Sequence, residues 1–238
     1  MKYIFSEESL DYKNYRFGYS VNAFLENKND IEKCFSKGFL PYTGDHNNNK
    51  EIYYLARSLR VDLNLYQRLS ENLRVIKIAE KSHNLNFSVR RKESFQHCND
   101  FKKFCLKYSE ERFINNPLSE KRLELILKRE NYNHIFTFSD DNKIVGYVLA
   151  YVNSNIIHFW FSFYNTDLLQ KFHVGKYMME QIIYYAKKQN MKYVYLGTCY
   201  GEKALYKVRD FKGIEFFDGS KWNNQINTLK EMCKKDII

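Results

Sequence analysis

The chain has 238 residues, 44% of them hydrophobic, with an aromatic share of 17% carried by 20 Tyr and 19 Phe. That is enough apolar material for one large domain or two modest ones, and only 9 Gly and 2 Pro exclude a collagen-like or Pro/Gly-rich low-complexity chain. The formal net charge of +10 bears on polyanionic partners and is silent on fold.

No stretch approaches about 18 uninterrupted apolar residues, so no transmembrane helix and no membrane partner are expected. The segment 1–11 carries Glu7 and Glu8 and lacks an apolar run, so no signal peptide is expected. Cys34, Cys98, Cys105, Cys199 and Cys233 are scattered without a CxxC spacing, which fits free thiols in a reducing cytosol and hence a cytoplasmic protein. The six histidines are dispersed, with no HExxH, so neither a metal nor a bound cofactor is expected.

In chain order, apolar residues at helical spacing (Phe24, Ile31, Cys34, Phe35) predict a helix over 23–37, ending at Gly38. A loop from Pro41 through Lys50 follows, with turn chemistry in Thr43-Gly44-Asp45. Residues 52–78 read as strands, because Leu59, Val61, Leu63 and Leu65 alternate with Arg60, Asp62, Asn64 and Tyr66. Around Ser94 the pattern changes: amphipathic helices are predicted over 94–112 and 119–129, separated by Pro117. Strands over 135–138 and 144–152 are joined by Asp140-Asp141-Asn142, a good hairpin turn. The run 156–164 is so apolar that it predicts a central strand. A long helix over 167–190, a strand over 193–198, a short helix over 201–208 and a last helix over 222–234 complete the reading. The expected organisation is a basic, aromatic-rich α/β domain over 1–93, followed by a second domain over 94–238.

The stretch 57–103 is rich in Arg57, Arg60, Arg68, Arg74, Lys77, Lys81 and Arg90, interleaved with Tyr66 and preceded by Tyr53 and Tyr54. Cations on phosphates and aromatics under unpaired bases are what a single-stranded nucleic acid needs, which makes Arg57, Arg60 and Arg74 the candidates. A solvated basic surface accounts for the same composition.

The order of elements after Ser94 (helices, three antiparallel strands, helix, strand, helix, strand) resembles the GNAT fold, an α/β mixed sheet with flanking helices. The resemblance implies a cleft at the central sheet and a carrier pyrophosphate facing the N-terminus of the long helix. The matching stretch is Gln170-Lys171-Phe172-His173-Val174-Gly175-Lys176, in which Gly175 is kept and His173 stands where a second glycine is usual.

Further on, Tyr195-Leu196-Gly197-Thr198-Cys199-Tyr200-Gly201-Glu202-Lys203-Ala204-Leu205-Tyr206-Lys207, followed by Trp222, resembles the aminoacyl-tRNA–protein transferases. Leu196-Gly197, Lys203, Tyr206 and Lys207 match that family's strand and its Lys-Met-x-Tyr-Lys helix, with Ala204 in place of Met. Upstream, Tyr164-Asn165-Thr166-Asp167 resembles the family's Tyr-Asp-Pro-Asp, and Arg112-Phe113 its Arg-His. Lys37-Gly38-Phe39, Arg60-Val61 and Ser70-Glu71-Asn72-Leu73-Arg74 resemble N-terminal segments of the same family. The family's cysteine cluster is absent, and its Gly-Val-x-Asp strand reads Gly146-Tyr147-Val148-Leu149, without the Asp.

The resemblance implies an aminoacyl-tRNA donor and a protein, peptide or small-amine acceptor. Tyr206, Lys203 and Lys207 are then the catalytic candidates, and Gly197, Thr198, Gly175, His173, Trp222 and Arg112 the substrate-binding ones. Ester aminolysis also needs oxyanion donors and positioning, which backbone N–H groups near Gly197 and Thr198 can supply. No carboxylate stands out as a general base. Acyl-CoA-dependent N-acyl transfer, or RNA binding without catalysis, are the alternatives on the same fold.

Overall fold

The computed structural model describes residues 1–11, 13, 16–43, 52–113, 115–209 and 211–236. The loop expected from Pro41 to Lys50 falls outside them over residues 44–50.

Near the N-terminus, β1 (Lys2–Asp11), β2 (Arg16–Phe24), β3 (Phe39–Pro41) and β4 (Ile52–Leu55) form an antiparallel sheet in the order β1-β2-β4-β3. The helix expected over 23–37 contracts to a 3-10 turn at Lys28–Asp30 and α1 (Ile31–Ser36). The reason is tertiary: Ala23 and Phe24 pair with Tyr53 and Ile52, so they belong to a strand. The helix ends before Gly38 at φ +81°, as its position predicts.

Among the described residues, the larger sheet has eight strands. They are β5 (Ser58–Asp62), β6 (Leu85–Arg91), β7 (His134–Asp140), β8 (Lys143–Val152), β9 (Ile156–Tyr164), β10 (Tyr193–Thr198), β11 (Ile214–Phe217) and β12 (Trp222–Asn223). Their order is β12-β11-β5-β10-β9-β8-β7-β6. Every pair is antiparallel except β9 with β10. Because β5 and β6 are strands of this sheet, its hydrogen bonding runs across the boundary expected at 93/94.

Among the described residues, five further helices flank the sheet: α2 (Ser70–Ser82), α3 (Asn99–Arg112), α4 (Glu120–Lys128), α5 (Val174–Lys188) and α6 (Ile226–Lys235). α3 and α5 pack on β9, α4 on α3, and α2 on α5. Residues on β9 and β10 alternate between two cores, as strand geometry requires. Ile157, Val194 and Leu196 enter the larger one, while Ile156 and Tyr195 join Phe35 and Tyr53 in the smaller.

Several expectations are corrected. The strand reading of 52–78 holds to Asp62, whose Oδ1 accepts the Asn64 N–H and turns the chain, leaving Leu65 exposed. Beyond it, Asn72, Val75, Ile76 and Ala79 are buried at helical spacing on α2, so the period changes from two to 3.6. Strand β6 was not expected; it forms a full edge ladder from Leu85↔Asp140 to Arg91↔His134. The helix over 167–190 is broken into a 3-10 turn (Thr166–Gln170), capped at its start by Asn165 Oδ1 accepting the Asp167 N–H, and α5, with residues 171–173 between them. The segment 201–208 is a 3-10 turn over Glu202–Lys207, and Trp222 lies on β12, opposite Phe217, ahead of α6.

Candidate active site

The parallel ladder between β9 and β10 is short: Tyr193↔Ile156, Val194↔Ile157 and Tyr195↔His158. Beyond it the strands part, for two local reasons. On β9 the ladder with β8 skips Trp160, passing from Ala150↔Phe159 to Leu149↔Phe161, and a bulge bends the strand. On β10, Gly197 sits at φ +78°, a left-handed conformation that costs a residue with a Cβ, and the register with β5 shifts between Tyr195 and Thr198. The fork opens a cleft of about 990 Å³.

Each wall brings chemistry. The C-terminal turns of α3 supply Tyr108 and Arg112, and β9 supplies His158, Trp160, Ser162 and Tyr164. The first turn of α5 supplies Gly175 and Lys176, preceded by the exposed N-cap His173. A Cβ on Gly175 would lie 3.0 Å from the Tyr164 ring, so the glycine lets this helix end approach β9 closely. From beyond β10 come Tyr206, Lys207 and Arg209.

Two phenols stay protonated here. Burial pushes Tyr108 up, with neighbouring Tyr164 adding to it. Burial and Tyr164 also raise Tyr206, which Arg112 opposes. Arg112 itself has no carboxylate partner among the described residues. Glu71 of α2 does line the cleft, but Arg74 holds its carboxylate down at about 2 through hydrogen bonds of 2.6 and 2.7 Å.

At the point of the fork lie His158 and Lys207. His158 is 1% exposed, its ring is 4.4 Å from Phe35, and its Nδ1 has no hydrogen-bond partner among the described residues. Burial, with Lys207 adding to it, drops its pKa to about 3, so the imidazole is neutral. Lys207 Nζ donates to the Thr198 carbonyl at 3.0 Å, and burial lowers its pKa, opposed by the Cys199 thiol. That thiol is itself pushed up to about 12 by burial.

Of the residues expected from the sequence, Tyr206, Lys207, Gly197, Thr198, Gly175, His173 and Arg112 meet at this one cleft. Lys203 does not line it. In a 3-10 turn residues step by about a third of a turn, so Lys203 and Lys207 no longer share the stripe an α-helix would give them. Trp222 packs against Tyr195 and Phe217, and its Nε1–H donates to the Ser36 carbonyl.

The three arginines are each engaged by a different carboxylate. Arg57 makes a two-pronged pair with Asp236 at 2.7 and 3.1 Å, Arg60 pairs with Glu215, and Arg74 with Glu71. His158, Tyr108 and Tyr164 were not among the sequence candidates. For His158 a signal existed: it is the single basic residue in the apolar run Ile156–Tyr164.

A fork between two parallel strands, with a helix N-terminus facing it, defines an acyltransferase-type architecture. An acetyltransferase (GNAT) domain family model matches residues 102–212, and the chain has a GNAT-like fold. No curated protein matches the chain.

Among solved structures, L-PGS from Bacillus licheniformis is 14% identical, covering 75% of this chain and 54% of its own, with a TM-score of 0.43. FemX is 10% identical, covering 85% and 69%, with a TM-score of 0.47. An aminoglycoside acetyltransferase from an uncultured soil metagenomic sample is 15% identical, covering 52% and 82%, with a TM-score of 0.34. The chain spans about half the length of the first of these, 54%. Among the described residues, no helix is long and apolar enough to cross a membrane.

Proposed function

We propose that the chain transfers an aminoacyl group from a charged tRNA to the amine of a protein, peptide or small molecule. The observation that carries this reading is the composition of the cleft. Arg112, Lys176 and Arg209 line it together with Tyr108, Trp160 and Tyr206. Cations for phosphates beside rings for unpaired bases suit a single-stranded acceptor end. The net charge of +10 and the resemblance around Lys203-Ala204-Leu205-Tyr206-Lys207 support the same reading.

In this reading the acyl ester lies at the fork. Backbone N–H groups where β9 and β10 part face the developing oxyanion, and Tyr206 donates to the ester or the terminal ribose. Arg112 and the N-terminus of α5 hold phosphate. The amine enters neutral and attacks the acyl carbon.

Acyl-CoA-dependent N-acyl transfer is the second reading, favoured by the match to the acetyltransferase family over residues 102–212. One experiment separates them. The protein is incubated with total charged tRNA and, separately, with acetyl-CoA, each radiolabelled on the acyl group, and the label is followed into a mixed amine acceptor. Label arriving only from tRNA is expected; label arriving only from acetyl-CoA overturns the proposal.

A further inference from the structure

Aminolysis of an ester leaves a surplus proton on the attacking nitrogen, and the group that takes it must come from the cleft itself. Most titratable groups there are unsuited. Glu71 is held ionised by Arg74 at about 2, too weak a base to draw a proton from an ammonium-like nitrogen. Burial leaves His158 equally weak, at about 3. Tyr108 and Tyr206 are raised and stay protonated.

Lys207 is different. It lines the cleft, has no carboxylate partner among the described residues, and its Nζ has the Thr198 carbonyl as acceptor at 3.0 Å. Lys207 is half-buried with no counter-charge among the described residues, and burial lowers its pKa, so the neutral amine is more accessible here than on a solvated lysine. A neutral amine carries two N–H bonds and one lone pair. The carbonyl takes one N–H and fixes the head group while the lone pair stays available.

The titratable groups around it do not restore the charge. The buried imidazole of His158 faces it from β9, the Cys199 thiol lies beyond β10, and Tyr206 precedes it on its own turn. Across the cleft, Arg112 and Lys176 add positive charge, as does Arg209 on the side of Lys207 itself, with Glu71 the carboxylate lining it among the described residues.

We propose that Lys207, as a neutral amine hydrogen-bonded to the Thr198 carbonyl at the fork of β9 and β10, is the general base of the transfer. As the C–N bond forms, the amine proton passes to Lys207 Nζ. As the C–O bond of the ester breaks, that proton passes to the leaving ribose oxygen, and Lys207 returns to the neutral state. The assignment rests on the acyl-transfer reading but not on the carrier, since a thioester sulfur can receive the proton in the same way.

The test is single-turnover transfer to hydroxylamine, an acceptor already neutral over most of the range, measured from about pH 5 to about pH 10. Wild-type protein is compared with Lys207→Arg and Lys207→Met. The wild-type rate is expected to rise through a midpoint below the ordinary lysine value of 10.5. Both variants are expected to lose about a hundredfold or more, with donor affinity within about threefold of wild type.

An Nζ resonance of ¹⁵N-lysine-labelled protein that is absent in Lys207→Met should titrate at the same midpoint. Should Lys207→Met fail to fold, Lys207→Gln replaces it. Wild-type rates in Lys207→Arg, or an Nζ midpoint at or above 10.5, overturn this assignment alone. Wild-type protein that transfers from neither charged tRNA nor acetyl-CoA removes the acyl-transfer reading, and this assignment with it.

Discussion

Arg60 and Glu215 are direct cross-strand partners on β5 and β11, and the Arg60 Nε donates to the Glu215 carboxylate at 2.6 Å. The same guanidinium lies 3.9 Å from the Tyr193 ring centre and 4.1 Å from that of Trp222, so two rings and a carboxylate enclose it. The Arg60 side chain is 11% exposed and that of Glu215 18%.

Removing one partner of such a pair leaves the other charge poorly solvated. Arg60→Ala is therefore expected to cost about 2–4 kcal/mol in urea unfolding, with packing loss contributing. Arg74 has a 55% exposed side chain, and Arg74→Ala is expected to cost under about 0.5 kcal/mol. If Arg74 touches RNA, that variant should flatten the log–log salt dependence of tRNA binding by about one unit of slope. An unchanged slope reassigns Arg74 to its pair with Glu71.

Tyr206 tests the cleft directly. Tyr206 is 45% exposed and lines the fork beside Lys207. Tyr206→Phe is expected to lower transfer by at least about tenfold, roughly 1.4 kcal/mol of transition-state stabilisation. Thermal stability should hardly move, because the lost hydroxyl lies at a solvent-facing cleft. Lys203→Ala is the control, expected to keep the rate within about twofold because Lys203 does not line the cleft. Equal losses in both variants would place the whole 3-10 turn in the site.

His158 ties acid stability to the fork. Its pKa falls from 6.5 to about 3 on folding, so between those values the unfolded chain binds a proton that the folded chain refuses. Stability therefore drops as pH falls through 6.5, by at most a few kcal/mol at about 1.4 kcal/mol per unit. Urea unfolding of wild type and His158→Leu at pH about 7 and about 5 isolates this contribution, because most carboxylates titrate lower. The variant should lose less stability between the two pH values. Parallel losses would show that His158 is solvated when folded.

Asp236 anchors the end of α6 to the turn that follows β10. Its carboxylate accepts both Arg57 guanidinium nitrogens and the Gly201 N–H at 2.7 Å. Hydrogen bonding to Arg57 holds its pKa below 3.8, so its contribution is present above 3.8 and fades as pH falls through the lowered value. Asp236→Asn is expected to cost about 1–3 kcal/mol at neutral pH and to raise amide exchange at Gly201. Unaltered exchange would separate α6 from the turn over Glu202–Lys207.

Local pattern alone determined much of the scaffold. The apolar run Ile156–Tyr164 is the central strand, and the alternation of Leu59 and Val61 marks their inward faces on β5. Pro117 separates α3 from α4, and Asp141 at φ +51° turns the hairpin between β7 and β8. Such features follow from side-chain period and turn chemistry within a few residues.

The resemblance to known families also brought Arg112, Gly175, Gly197, Tyr206 and Lys207 forward, and the cleft gathers them. Only tertiary structure decided the rest. Ala23 became a strand residue because β4 lay beside it, and Glu202–Lys207 wound as a 3-10 turn, parting Lys203 from Lys207. The fork needs β9 and β10 to run parallel for three pairs and then diverge, a relation between segments separated by a whole helix. Whether a lysine is a solvated surface cation or a half-buried amine without a carboxylate partner depends on which strands close around it. No spacing along the chain encodes that burial, so the chemistry assigned to Lys207 could be read only from the fold.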